Sequence, residues 1–316
     1  MVIPLVSVII PTFNRKDLLL RAVRSVVQQS YRPLEVVVVD DCSTDGTVEA
    51  LAEQDFTIPV RILRLPINLG PAGARNKGIL AAVGKYIAFL DSDDHWLPTK
   101  LEHQVAAADR HAESESLVIY AQAEIRRRHE TIVRPLRPIC ENEHVADYLF
   151  ADGEYMTQCT VLVSAGAARQ TMYRPEIRLH EDWDWYIRLQ QHGIKFVMVP
   201  EVLCIVDDRA IEGRSSEARP DRSLSMLETW KPVISRKAYL AFRARIAPQM
   251  RKTAPLHAFA MILQAYLRGA ISTWFLVVLT GRLVHPGLRE FAYRLRQAFA
   301  GSRHSRASAH SGSLGP

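Results

Sequence analysis

The stretch KYIAFLDSDD, residues 85–94, joins an apolar run to three closely spaced acids, Asp91, Asp93 and Asp94. The apolar run predicts a buried strand, so the acids lie where that strand ends. Carboxylates this close repel one another, and a folded cluster of them needs a cation or hydrogen-bond donors to neutralise it. The stretch therefore predicts a divalent-metal site. The alternative is a solvated turn in which Asp94 caps a helix that begins at His95.

The type of metal follows from the ligands that the site offers. Mg²⁺ and Mn²⁺ take oxygen ligands, and Mg²⁺ commonly combines one or two carboxylates with substrate phosphates and water. We therefore expect Mg²⁺ or Mn²⁺ as the cofactor and a phosphorylated compound as the ligand.

Apolar runs alternate with segments of helical spacing on the N-terminal side of this stretch. The predicted strands are residues 6–11, 34–41 and 60–65, and the predicted helices are residues 17–29, 45–54 and 72–83. Ser43 and Thr44 are the capping candidates of the second helix. The alternation predicts an α/β fold with a Rossmann-like, mostly parallel sheet and helices on both faces. In such sheets the ligand binds beyond the carboxyl ends of the strands.

Several common ligand classes lack their signatures in this chain. No G-x-G-x-x-G follows the first apolar run, and no G-x-x-x-x-G-K-[ST] occurs, so NAD and ATP sites of the common kinds are not expected. Zinc-finger spacing, an RNP-like aromatic strand and a helix-turn-helix pattern are also absent. Nucleic acid is therefore not expected as a partner.

Charge is distributed unevenly along the 316 residues, of which 48% are apolar. Residues 1–208 carry 22 Lys and Arg against 29 Asp and Glu, whereas residues 209–316 carry 18 against 5. This split predicts metal and substrate binding in the acidic part and contact with anionic lipid headgroups in the basic part. Four scattered cysteines without a secretory signal peptide predict reduced thiols and a cytoplasmic location.

Five motifs occur in a fixed order along the first two-thirds of the chain. They are PTFNR from Pro11, VDDCSTDGT from Val39, NLGPAGARNKG from Asn68, LDSDD from Leu90 and HEDWDWYIRL from His180. Together these motifs resemble the inverting glycosyltransferases of family 2, which have the GT-A fold. The resemblance extends from Val6 to Val206, and its last part, GIKFVMVPEVL, is similar to the strand that closes this domain.

For the donor side, the resemblance implies that Pro11 and Thr12 form the floor of a nucleotide pocket and that Asp41 contacts the base, with Asp40 beside it. A carboxylate accepts a hydrogen bond from the ring N–H of uracil, which makes a uridine diphosphate sugar the default donor, although guanine also offers N–H groups. The alternative for both aspartates is a local Asx-turn.

The resemblance also places Asn68 in the nucleotide-binding loop and Arg75 where a guanidinium reaches the base or the diphosphate. It implies that Asp91 contacts the ribose or the metal and that Asp93 is the main metal ligand, bridging to both phosphates. Asp94 is a secondary candidate. The alternative for Arg75 is a solvated charge on a helix.

The resemblance assigns the role of catalytic base to Asp182. This carboxylate takes the proton of the acceptor hydroxyl as the hydroxyl oxygen attacks the anomeric carbon opposite the leaving diphosphate. Glu181 is expected to support Asp182 or to contact the acceptor. The same residues also predict the start of an amphipathic helix, whose dipole lowers the pKa of Asp182 unless Trp183 or Trp185 desolvates it.

One departure from the family pattern follows the closing strand. The family often has a histidine there, whereas this chain has VDDRAIEGRSS. Asp207, Asp208, Arg209 and Arg214 are the candidates to replace it, and the third metal contact stays open.

An apolar segment, residues 256–284, lies beyond the resemblance. Arg268 interrupts it, and the uncharged run that follows is short for a membrane span, which needs about 20 residues. Because arginines flank it, the segment predicts either an interfacial helix pair on anionic lipid or packed core helices. Residues 301–316 contain few apolar groups and predict a disordered tail.

The predicted organisation is a GT-A catalytic domain followed by a helical extension. The catalytic domain is placed at residues 1–208, with a nucleotide-sugar-binding half at 1–117 and an acceptor-binding half at 118–208. A basic helical extension follows at 209–300, before the tail at 301–316.

The function predicted from these observations is that of a cytoplasmic, metal-dependent, inverting glycosyltransferase that uses a nucleotide-diphosphate sugar. The favoured acceptor is a lipid-linked saccharide of bacterial surface or exopolysaccharide assembly, met through peripheral contact with the inner membrane. A sugar-nucleotide nucleotidyltransferase is the alternative enzyme, but it would need a glycine-rich G-x-G-T-R loop where this chain has PTFNRK. A non-catalytic saccharide-binding scaffold is the third alternative.

Overall fold

The computed structural model describes residues 3–111, 113–114, 116–127, 130–207 and 219–284. The chain divides into two compact units, Met1–Arg214 and Ser215–Pro316. The boundaries predicted after residues 117, 208 and 300 stay predictions. The predicted tail at 301–316 lies outside the described residues.

The first part of unit one alternates strands and helices as the sequence predicts. Its elements are β1 (Val6–Thr12), α1 (Lys16–Val27), β2 (Leu34–Asp40), α2 (Thr47–Ala52), β3 (Val60–Arg64), α3 (Gly70–Ala81) and β4 (Tyr86–Phe89). β2 is buried along its whole length and β1 along most of it, which explains their continuous apolar sequences.

The second part of unit one is built differently, from helices and from strands that pair both antiparallel and parallel. Its elements are β5 (His95–Trp96), α4 (Lys100–Asp109), β6 (Leu117–Arg126), β7 (Thr131–Arg134), a π-helical turn (Asp147–Ala151), a 3₁₀ turn (Gln158–Thr160), β8 (Leu162–Ser164), α5 (Ala165–Gln170), α6 (Glu181–Gln191) and β9 (Lys195–Asp207). β9 contains the predicted closing strand and pairs parallel with β6.

One mixed sheet joins all of these strands. Its order is β3-β2-β1-β4-β8-β6-β9-β5, with β7 paired to β6. The strands β1 to β4 are parallel to their neighbours among themselves, and β8 then pairs antiparallel to β4. The carboxyl ends of β1, β2 and β4 therefore lie at the same edge of the sheet. This arrangement is the α/β fold with a mostly parallel core that the sequence predicts.

Two local predictions are wrong. The alternative in which Asp94 caps a helix at His95 fails, because His95 and Trp96 form β5 and pair with Ile205 and Cys204 of β9. The helix predicted to begin at Asp45 begins instead at Thr47. Its N-cap is Gly46, in the left-handed conformation, rather than Ser43 or Thr44.

Unit two is helical in its described part. It contains α7 (Pro220–Trp230), α8 (Arg236–Ile246), a 3₁₀ turn (Ala247–Met250), α9 (Pro255–Leu267) and α10 (Thr273–Val284). Its core includes Trp230 of α7 packed edge-on against Phe242 of α8, with centroids 5.6 Å apart. The predicted pair of helices in 256–284 is present as α9 and α10. Among the described helices, none is both long and apolar enough to cross a bilayer.

Candidate active site

The strand ends of β1, β2 and β4 bring the first predicted site residues together. Parallel pairing puts Thr12 opposite Asp40, and the Asp41 N–H donates to the Thr12 carbonyl at 2.8 Å. Thr12 is 3% exposed, and its Oγ1 has no hydrogen-bond partner in the described part of the chain. A buried hydroxyl without a partner is costly, so it is suited to meet a polar ligand atom at this edge. Pro11 lies beside it, opposite Val39.

Asp41 ties the second strand to the start of α3. Its two carboxylate oxygens accept hydrogen bonds from the N–H groups of Leu69 at 2.7 Å and Gly70 at 2.8 Å. Asn68 Nδ2 donates to the Asp41 carbonyl at 3.1 Å. A carboxylate is favourable at this position because the first N–H groups of a helix carry partial positive charge. Asp41 therefore shapes the predicted nucleotide loop, and its contact with a base stays a prediction.

Asp40 is fully buried and forms a local turn. It accepts the N–H of Ser43 at 3.2 Å and lies 3.7 Å from Nε of Arg64. Asp40 thus bonds locally, but to the residue three positions on rather than the two of an Asx-turn, whereas Asp41 makes bonds to residues about 28 positions away.

Gly70 is favoured at the start of this loop's helix by its left-handed backbone conformation. Its φ of +75° lies in the left-handed region, and a Cβ there would come within 2.6 Å of Nη1 of Arg178. Arg178 therefore lies against the backbone of the nucleotide loop.

Arg75 connects three of the five sequence motifs. Its guanidinium donates to Asp91 Oδ1 at 2.7 Å and to Glu181 Oε1 at 3.3 Å, and it is 4% exposed. The alternative of a solvated helix charge is therefore wrong. Burial lowers the pKa of Arg75, but Asp91 and then Glu181 outweigh it and keep the pKa well above its ordinary value.

Tyr173 lies beneath Arg75 and was not singled out by sequence reasoning. The guanidinium carbon lies 5.6 Å from the centre of its ring, and the ring stacks on Trp185 at 4.7 Å. Its Oη is buried with no hydrogen-bond partner in the described residues. Tyr173 precedes the HED motif by seven residues, in a loop without periodicity, so the sequence offered no signal for it.

The predicted metal ligands are each paired with an arginine. Asp91 pairs with Arg75, and Asp93 Oδ2 lies 2.8 Å from Arg15 Nη1. Arg21 Nη2 donates to the Asp93 carbonyl at 2.5 Å. Arg15 ends the PTFNR motif at the carboxyl end of β1, so the strand-end rule could have placed it next to the acid cluster.

The acid cluster offers few ligands for a divalent cation. The described residues contain no group of three or more His, Cys, Asp or Glu side chains arranged to hold a metal. Mg²⁺ sites that use substrate phosphates need only one or two carboxylates, and Asp91 and Asp93 offer these. The side chain of Asp91 is 25% exposed and therefore accessible, whereas that of Asp93 is 6% exposed and pairs with Arg15, whose side chain is 34% exposed. The two residues thus fit a metal whose shell a diphosphate completes.

Asp182 is the second residue of α6, as predicted, and it is partly buried. Burial raises its pKa from 3.8 to about 7, and the charge of Glu181 adds to that shift. The Trp183 N–H, 2.8 Å from Oδ1, and the charge of Arg75 act in the opposite direction. Desolvation therefore outweighs the helix terminus, and the carboxyl group has a pKa suited to general base catalysis near neutral pH.

An aromatic wall stands next to Asp182. The rings of His180 and Trp183 stack with centroids 4.5 Å apart, and Phe150 meets Trp183 edge-on at 5.5 Å. Burial lowers the pKa of His180 to about 4, so its imidazole is neutral at pH 7.

Of the candidates for the missing histidine, only Asp207 lies within the described residues. Its Oδ2 is 4.0 Å from Nη1 of Arg21, the residue that also contacts the Asp93 carbonyl. Asp207 is thus linked to the acid cluster through one arginine. Asp208, Arg209 and Arg214 lie outside the described residues.

Comparison with known proteins supports the resemblance over the region of the first four motifs. The family described as "Glycosyl transferase family 2" matches residues 7–168. The chain is 29% identical over 250 residues to the amylovoran biosynthesis glycosyltransferase AmsB of Erwinia amylovora, covering 77% of this chain and 83% of AmsB. It is 42% identical over 103 residues to WfaP of Escherichia coli, a UDP-Glc:α-D-GlcNAc-diphosphoundecaprenol β-1,3-glucosyltransferase. That match covers 32% of this chain and 40% of WfaP.

Solved structures share the fold at low sequence identity. TarS 1–349 of S. aureus in complex with UDP-GlcNAc superimposes with a TM-score of 0.61 at 18% identity, covering 93% of this chain and 92% of TarS. The mannosyltransferase PcManGT of Pyrobaculum calidifontis, in complex with GDP-Man and Mn²⁺, gives 0.53 at 18% identity. The latter match covers 91% of this chain and 87% of PcManGT.

Proposed function

The chain belongs to glycosyl transferase family 2, and on that premise we propose that it moves a sugar, with inversion, from a UDP-linked donor to a lipid-linked saccharide. That the protein is a glycosyltransferase follows from its family, and this excludes the nucleotidyltransferase alternative. The proposal concerns the donor base, the acceptor, the stereochemistry and the need for a metal.

One observation carries the proposal. Arg75 joins Asp91 of the acid cluster to Glu181, and Glu181 is the neighbour of the predicted base Asp182. Two motifs separated by about 90 residues therefore meet at one arginine, and a transfer reaction requires its donor and acceptor groups to be held close together in this way.

The reaction assigns a role to each of these residues. Asp182 accepts the proton of an acceptor hydroxyl while the hydroxyl oxygen forms a bond to the anomeric carbon. The bond from that carbon to the diphosphate oxygen breaks, and the nucleoside diphosphate leaves from the opposite face. One base and one leaving group on opposite faces give inversion.

The donor side of the crevice positions the nucleotide. We assign Thr12 to its pocket and Asp91 and Asp93 to the divalent cation, with Arg15 and Arg75 nearby as positive charges for phosphate oxygens. A bound Mg²⁺ or Mn²⁺ would stabilise the negative charge that develops on the departing diphosphate. The names of AmsB and WfaP support a bacterial surface polysaccharide as the product class and a diphosphoundecaprenol-linked saccharide as the acceptor class.

A thermal-shift screen tests the donor assignment. UDP-glucose, UDP-GlcNAc and GDP-mannose are each added with Mn²⁺ or with EDTA, and a donor that binds the folded state raises the melting temperature by mass action. We expect a UDP-sugar to raise it only when Mn²⁺ is present. A GDP-mannose response alone would overturn the base assignment, and an equal response in EDTA would overturn the metal requirement.

Product analysis tests the stereochemistry. The anomeric configuration of the transferred sugar, read by NMR, should be opposite to that of the donor. Retention would reject the inverting mechanism, and donor binding without any transfer would favour the scaffold alternative.

A further inference from the structure

The helix α9 is apolar on two opposite faces. One face carries Ala258, Met261, Ile262 and Ala265, each at most 3% exposed, and packs into unit two. The other carries Leu256, Phe259, Leu263 and Leu267, which are 85%, 42%, 36% and 72% exposed. We call these four residues the outer stripe. A helix with apolar rows on two opposite faces is normally covered on both, so the outer stripe lacks the cover that its sequence calls for.

The outer stripe forms one continuous row. Its residues follow one another at spacings of three or four, which places them on one side of the helix over about 16 Å. Among the described helices no other carries four large exposed apolar residues. Exposed apolar side chains scattered singly need no explanation, but a row of this length marks an interaction surface.

Positive charge surrounds the outer stripe. No charged residue lies within α9, whereas Lys252 precedes it and Arg268 follows it, and both are exposed. Residues 219–284 contain 11 Lys and Arg against 2 Asp and Glu. A second copy of the chain would bring two such positive surfaces together, which like-charge repulsion opposes. An anionic partner with an apolar layer fits both features.

We infer that the outer stripe of α9 docks on a bilayer of anionic lipid, with the helix lying flat in the interface. In that orientation the leucines and Phe259 enter the boundary of the acyl chains, and Lys252 and Arg268 at the two ends meet headgroup phosphates. The inference deepens the proposed function, since it rests on a lipid-linked acceptor and names the surface through which the enzyme meets the membrane.

Vesicle sedimentation with the full-length protein tests the inference. The probes are vesicles of phosphatidylcholine alone and vesicles with about one-third phosphatidylglycerol, a composition that gives a negative surface. The wild type should sediment with the anionic vesicles, and added salt should weaken that binding. The variant Leu263→Gln/Leu267→Gln should lose at least tenfold in vesicle affinity, and Lys252→Gln or Arg268→Gln should each lose about fivefold.

The control is Leu80→Gln/Val83→Gln, two apolar residues of unit one that are 64% and 68% exposed. This control should bind vesicles like the wild type, and all variants should melt near the wild-type temperature. Equal binding of the stripe variant and the wild type would overturn the inference. So would a change from dimer to monomer in the stripe variant without any change in vesicle binding, because the stripe would then join two copies.

The same samples separate this inference from the proposed function. UDP-GlcNAc with Mn²⁺ should shift the melting of the wild type and of the stripe variant equally. A wild type that shows the donor shift but does not bind anionic vesicles rejects only the docking surface, and a wild type that binds the vesicles without any donor shift rejects only the proposed function.

Discussion

The carboxylates of the predicted donor-side loops and the carboxylate of Asp182 at the start of α6 are held in opposite ways. On the donor side, Asp41 accepts two backbone N–H groups, and Asp93 pairs with Arg15. At α6, Asp182 is surrounded by protein next to a second carboxylate, and its pKa rises to about 7. The difference separates two tasks. Neutralised carboxylates suit the binding role proposed for the donor side, whereas a carboxylate that gains from taking up a proton suits the role proposed for the base.

The largest expected effect is loss of transfer at α6. Asp182→Asn keeps the size of the side chain and the acceptor for the Trp183 N–H but cannot take up a proton. A general base contributes about 10²–10⁴-fold to a rate, so transfer should fall by about a thousandfold. UDP release in the presence of acceptor measures it. The metal-dependent donor shift in melting temperature should persist, and a variant that transfers normally would remove Asp182 from the mechanism.

The second expected effect concerns how the free energy of unfolding depends on pH, because folding raises the pKa of Asp182. Folding raises the pKa of Asp182 from 3.8 to about 7, so the folded state holds the proton more tightly, and the free energy of unfolding falls as pH rises from about 4 to 7. Asp182→Asn removes this fall in stability, because an amide does not titrate. At pH 8 the variant should be more stable than the wild type, by up to about 4 kcal/mol at about 1.4 per pKa unit, and at pH 4 the two should be close.

A neighbouring residue supplies the control for that experiment. Asp184 is 1% exposed and pairs with Arg188 at 2.8 Å and Arg174 at 3.5 Å. Asp184→Asn leaves those arginines without their counter-charge, so it should destabilise at pH 8 rather than stabilise. Urea unfolding of both variants across pH measures the contrast. If both substitutions lower the free energy of unfolding equally at pH 8, then Asp182 is as well neutralised as Asp41 and Asp93. The difference between the two regions would then not exist.

The sequence predicts those features of the fold that depend on local patterns of residues. The strands and helices from Val6 to Phe89 follow from apolar runs and helical spacing, and the position of the acid cluster follows from the end of β4. Residues far apart in sequence decide the rest. His95 and Trp96 became a strand because β9 offers them partners about 110 residues away, and no local pattern at Asp94 indicates that.

The site was predicted to a similar extent. The resemblance to the family indicated which residues to compare, but not how Arg75 is used. Its pairing with Glu181 spans 106 residues, and its place above Tyr173 depends on a loop whose course the sequence does not indicate. The sequence predicted that the helix dipole lowers the pKa of Asp182 unless desolvation opposes it, and only the folded structure shows that desolvation prevails.

The third effect tests the donor side. Asp41→Ala removes both acceptors of the Leu69 and Gly70 N–H groups and leaves these buried donors unpaired. The free energy of unfolding should fall by about 2–3 kcal/mol. The affinity for the nucleotide sugar should also fall, because the loop is no longer held in place. Urea unfolding and donor titration measure the two. Glu49→Ala, at a side chain 66% exposed and 4.0 Å from Arg64, should cost less than about 0.5 kcal/mol. An equally small cost for Asp41 would mean that its bonds do not hold the loop.

The smallest expected effect is a shift in the pH dependence of kcat/KM when Glu181, the neighbour of Asp182, loses its charge. Below the pKa of Asp182 the base is protonated, so kcat/KM should rise about tenfold per pH unit up to about pH 7 and then level off. Glu181 raises that pKa through its charge. Glu181→Gln keeps an oxygen for Arg75 but loses the charge, so the acid limb should move to lower pH and activity at pH 6 relative to pH 8 should rise about threefold.

Glu201→Gln, at an exposed side chain of β9, should leave the profile unchanged. A limb that stays in place or moves to higher pH would mean that burial alone sets the pKa of the base, and that the neighbouring carboxylate serves only to hold Arg75.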